Sequence, residues 1–112
     1  MADLDLLYKQ HEQLKAEGKL DEALAKLEEC LAADEGYIMG HLGMAVLLGR
    51  MGKHDQAVKH GEKACELEPS EPFNFTAMSV TYQRAYAGTG DMSYIQKAED
   101  AMARAHTLQG MH

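Results

Sequence analysis

Tryptophan is absent, and only two prolines and two cysteines occur among 112 residues. Two cysteines cannot make the disulfide framework of a small secreted domain, so a reducing, cytoplasmic setting is expected. Scarce proline with eight methionines argues against a turn-rich all-β chain and for helix. Long apolar runs are missing too. The longest, Met44–Leu48, is five residues and cannot cross a bilayer, so no membrane partner is expected. The opening Met1-Ala2-Asp3-Leu4-Asp5 has neither the basic start nor the apolar core of a secretory signal. Positive charge is in deficit: 11 basic residues against 18 acidic leave a net charge of −7. Phosphate contact needs a basic footprint, which excludes general nucleic-acid binding.

Catalytic signatures are lacking as well. HExxH, GxSxG, GxxxxGK and CxxC do not occur. Gly88-Thr89-Gly90-Asp91 resembles the start of a nucleotide loop but has no strand before it and no glycine after it, so a long turn explains it. Glu28-Glu29 and Glu66 with Glu68 read as solvated helix faces. No enzyme and no cofactor is expected.

What the chain does contain is a period. At an offset of 34 residues, Gly18, Lys19, Asp21 and Ala23 recur as Gly52, Lys53, Asp55 and Ala57. The same step aligns Leu14 with Leu48 and Glu28 with Glu62, and a second step aligns Met44, Val46 and Arg50 with Met78, Val80 and Arg84. Within each unit apolar residues fall at helical spacing, as in Leu20, Ala23, Leu24, Leu27 and Leu31. Gly18 and Gly52 suit a reversal between two helices. Asp21 and Asp55 can cap or charge the start of the next. Pro72 can open a helix. The pattern predicts six helices, at about 3–17, 20–33, 37–51, 54–67, 72–87 and 92–108.

These residues resemble the tetratricopeptide repeat, a 34-residue antiparallel helix pair. Ile38–Glu71 fits best, with Ala45, Leu48, Gly52, Ala57, Ala64 and Pro69 on the family's positions. Leu4–Tyr37 departs at His11, where the family has a small residue, and at Glu35, where it has proline. The third unit, about 72–108, needs some seven inserted residues within Ala87–Ser93. The resemblance implies one all-α domain, a right-handed superhelix of three antiparallel helix pairs. Stacking gives each pair the apolar partner it lacks alone. A plain six-helix bundle has no reason to keep a fixed 34-residue register.

The family register puts Tyr8, Lys15, Met39, Leu42, Val46, Arg50, Phe73, Thr76, Val80 and Arg84 on the concave face, with Lys9, Glu12 and Ala77 beside them. This predicts an adaptor that binds a peptide or helix, apolar at the centre and with an acidic group near Arg50 and Arg84. The bland alternative is that both arginines lie along the surface or pair with local acids. Family members that grip acidic chaperone tails use a clamp of lysine, asparagine and arginine. Here those places hold Tyr8, Glu12, Gly43, Phe73 and Ala77, so that specificity is not expected.

After His106 only six residues follow, too few for the extra helix that usually covers such a stack. With Ile95, Ala98, Met102 and Ala105 taken as the core stripe of the last helix, Tyr94, Ala101 and Leu108 lie beside it as candidates for self-association, a homodimer being the simplest form. Six histidines and eight methionines invite a rival reading as a copper or haem carrier. The candidates there are His41 and Met44, three apart on one helix face, although His41 stands at a normally buried position. A second rival is a purely structural homo-oligomer whose groove is filled by its own protomer.

Overall fold

The computed structural model describes residues 3–111; Met1, Ala2 and His112 lie outside the described residues. Six helices follow one another: α1 (Leu4–Ala16), α2 (Leu20–Ala33), α3 (Ile38–Arg50), α4 (His54–Leu67), α5 (Pro72–Thr89) and α6 (Ser93–Gln109). Each packs most extensively on its hairpin partner and then on the next hairpin, and α3 also reaches α5. The result is an all-α stack of three helix pairs, as the period implies.

The recurring Gly-Lys of the period has a direct cause. Gly18 and Gly52 sit at φ +80° and +78°, the left-handed region that favours glycine. Gly18 donates to the Lys15 carbonyl at 3.0 Å and Lys19 to Leu14 at 2.9 Å; Gly52 and Lys53 repeat this on Gly49 and Leu48. Both turns are therefore the same helix-ending motif, in which two orphan carbonyls are satisfied. Asp21 and Asp55 lie in the first turns of α2 and α4 and do not cap them, so of the two expected roles only the charge effect remains. Asp3 does cap, accepting from the Leu6 amide at 3.1 Å.

The third pair is where the sequence expectation shifts. Ala87–Thr89 stay helical, so the extra residues lengthen α5 to 18 residues against 13 for α3. Only Gly90, Asp91 and Met92 make the turn, with Gly90 at φ +75°.

The core divides at the joints between pairs. Ala23, Leu27, Met44, Leu47, Leu48 and Ala57 fill the first joint; Val58, Met78, Tyr82, Ala85, Tyr94, Ala98 and Ala101 fill the second. Neighbours Ala57 and Val58 on α4 thus serve different clusters. His11, the departure from the family pattern, is fully buried, and its Nδ1 donates to the Tyr8 carbonyl at 2.8 Å. Room for the ring comes from Gly43 on α3, where a Cβ would stand 3.2 Å from Leu27 and 3.5 Å from His11. Burial holds the His11 imidazole below its ordinary pKa, that is, neutral.

Candidate functional site: the hollow along α1, α3 and α5

Side chains of α1, α3 and α5 enclose a hollow of about 330 Å³. Tyr8, Lys15, Met39, Leu42, Val46, Phe73, Thr76, Val80 and Arg84 all line it, as the register expects. Leu42 and Val46 are half-buried, and Phe73 is 60% exposed. Apolar surface is therefore presented outward there. Of the floor, the register places only Gly43 in the groove; Ala45, Gly61, Met78 and Thr81 complete it without a sequence signal for doing so. Gly61 belongs to α4, and a Cβ there would meet Met78 Sδ at 2.7 Å. Its missing side chain lets Met78 settle over the neighbouring hairpin, a tertiary fit with no local signal.

Polar chemistry in the hollow is sparse. Thr76 and Thr81 donate their hydroxyls to Pro72 and Ala77 one turn back, so both protons are committed to their own helix. Tyr8 stays a neutral phenol, its pKa raised first by burial and then by the negative charge of Glu12. No aspartate or glutamate lines the cavity, whereas Lys15 and Arg84 do. The one ion pair among the described residues is Lys19 with Glu17. Both cations are thus without an acid partner, and they stand on corresponding turns of α1 and α5. Shape, apolar contact and attraction for negative charge are what the hollow offers.

No protein-family model and no curated protein matches the chain. Among solved structures it is similar to the second TPR of Spaghetti (RPAP3) bound to the HSP90 peptide SRMEEVD, with TM-score 0.75 and 18% identity over 94% of this chain and 91% of that one. The fold is the tetratricopeptide repeat. MamA shares it at TM-score 0.79 and 17% identity over 97% of the chain, which spans only 60% of MamA. The Yersinia enterocolitica type III secretion translocator chaperone SycD, solved as an alternative dimer, gives 0.76 and 20% over 94% of this chain and 74% of its own.

Three expectations change against the repeat array. Arg50 is exposed and does not line the hollow. The aliphatic stem of Arg84 lies near α3 at Gly49, where a Cβ would sit 3.8 Å from Arg84 Cδ. The cationic pair is therefore Lys15 with Arg84.

The last helix is turned relative to the expected stripe. Tyr94, Ala101 and Leu108 are buried, so the proposed self-association residues face inward. The core stripe runs Tyr94, Ala98, Ala101, Ala105, Leu108, with Tyr94 stacked on Tyr82 at 6.0 Å between ring centres. Ile95 and Met102, assigned to the core, are half-buried instead and edge a shallow depression beside Tyr86.

His41 and Met44 are both buried on α3, and His41 is saturated. Its Nε2 lies 2.8 Å from the Glu35 carbonyl and its Nδ1 3.0 Å from His60 Nδ1. Among the described residues no three histidine, cysteine, aspartate or glutamate side chains converge. The cysteines show no activation: burial raises both thiols, Cys65 to about 11, so at neutral pH neither is a thiolate. Among the described residues no helix is long and apolar enough to cross a membrane.

Proposed function

We propose that this repeat array is a non-catalytic adaptor whose hollow takes a protein segment, extended or helical, that combines apolar side chains with an acidic group. The observation that carries this reading is charge segregation. A chain of net charge −7 keeps every acid out of the hollow's lining and leaves Lys15 and Arg84 in it unpaired. Apolar anchors rest on Met39, Leu42, Val46 and Phe73, and the acid lies towards the two cations. That a similar repeat was solved with a peptide ending in Glu-Glu-Val-Asp supports the ligand class. The partner here is not such a tail, since the clamp positions hold Tyr8, Glu12, Gly43, Phe73 and Ala77.

The test is selection of displayed peptides on the native chain, with counter-selection on a Leu42→Glu, Val46→Glu variant whose helicity is checked by circular dichroism. Enriched peptides should carry apolar and acidic residues together and lose about 100-fold in affinity on the variant, since two charges then replace buried apolar contact. Absence of enrichment, or enrichment indifferent to the substitutions, removes the proposal. Self-association is a second arm of this reading, favoured by the apolar edge of exposed Tyr86 with half-buried Ile95 and Met102 and by the dimer described for SycD. A monomer by light scattering at high concentration discards it.

A further inference from the structure

We infer that His41 and His60 are an acid-sensitive latch, holding the middle hairpin together while both rings are neutral and share one proton, and weakening it as the pair takes up charge. The pair joins α3 to α4 on the side away from the hollow. Their Nδ1 atoms are 3.0 Å apart, and with ring centres 5.2 Å apart the imidazoles meet end to end. The Glu35 carbonyl, 2.8 Å from His41 Nε2, can only accept, so the His41 proton sits on Nε2 and its Nδ1 is bare. The proton between the rings therefore belongs to His60 Nδ1. One imidazolium would leave at most a single donor without an acceptor. A second proton sets two N–H groups against each other at a contact where His41 is nearly inaccessible to water.

Nothing nearby compensates that second charge. The surrounding cleft is lined by Glu28 of α2, Glu35 of the following turn, and Lys59 and Lys63 of α4, two acids against two bases. Neither carboxylate is within ion-pair distance of either ring. His60 accordingly holds its proton less readily than an ordinary histidine, first because it is buried and second because of His41. The sign follows from linkage. With the folded pKa below the unfolded one, the unfolded chain binds more protons beneath about pH 6.5. Stability is complete above that value and declines as pH falls towards the folded pKa. Because α3 also carries Met39, Leu42 and Val46, parting it from α4 disturbs the wall of the hollow. The latch itself does not depend on what the hollow binds.

Two measurements decide it. In the native chain, imidazole resonances followed by NMR should show His60 titrating below 6.5, with backbone amides of α3 and α4 moving at the same midpoint. A His60→Gln variant keeps an N–H donor for His41 Nδ1 but cannot titrate. Between about pH 7.5 and about pH 5.5 the native chain should lose about 5 °C more in Tm than this variant. His11, also held neutral by burial, contributes alike to both proteins, so the difference isolates the pair. An ordinary His60 titration, or equal acid losses in the two proteins, overturns the latch. If the variant does not fold, the NMR titration of the native chain decides alone.

Discussion

The hollow and the depression behind the last hairpin are both apolar, and the second is the larger, at about 480 Å³ against about 330 Å³. They differ in how they are built. The rear depression is enclosed by α5 and α6 alone, with Tyr86, Ile95 and Met102 at its edge and Glu99 as its one charged lining residue. The hollow needs three helices from three successive pairs and gathers two cations that are 69 positions apart in the chain, at 15 and 84. Volume alone does not tell the two surfaces apart, whereas the charge of their linings does. The distinguishing chemistry appears only where the pairs are stacked, and it vanishes if the stack loosens.

The largest test of that contrast attacks the stack. Leu27 is fully buried in the first joint, and Leu27→Ala should cost about 3 kcal/mol in unfolding free energy. Hydrogen exchange should then accelerate in α1–α3 while α5 and α6, which pack on each other most extensively, retain protection. Equal loss throughout would mean that the hollow and the rear depression stand on one cooperative unit after all. A smaller test separates the two surfaces directly. Met102→Glu, in the half-buried edge of the rear depression, should leave selected peptides within about twofold of native affinity. If it instead abolishes binding, the rear surface is the recognition site. The smallest effect is electrostatic. Lys15→Ala with Arg84→Ala should weaken an acidic peptide about tenfold at low salt and less at high salt, since both cations are screened by solvent. An unchanged affinity would leave the hollow as a purely apolar contact.

Much of this architecture is legible in the sequence, for reasons particular residues make plain. Gly18-Lys19 and Gly52-Lys53 recur because each ends a helix by the same two hydrogen bonds, a local requirement that the chain must write explicitly. The lining of the hollow follows from the repeat register on α1, α3 and α5 for the same reason, as position within a unit fixes direction. Arg50 lies outside the lining although the register places it there, and of the two arginines only Arg84 lines the hollow. On α6 the register keeps Ala98 and Ala105 in the core but places Tyr94, Ala101 and Leu108 beside it; all five are buried, Tyr94 against the ring of Tyr82. Asn74 gave no signal at all. Its buried amide donates to the Ala64 and Glu68 carbonyls at the end of α4, a cap supplied from the following helix.

Order along the chain was therefore settled by the residues themselves: six helices and their pairing, with the two Gly-Lys turns enforced by interactions spanning a few positions. Contacts between pairs were settled by packing alone. The stripe buried on α6, the glycine spaces at 43 and 61 filled by His11 with Leu27 and by Met78, and the meeting of His41 with His60 each depend on side chains from separate helices competing for one volume, and no periodicity records the outcome of that competition.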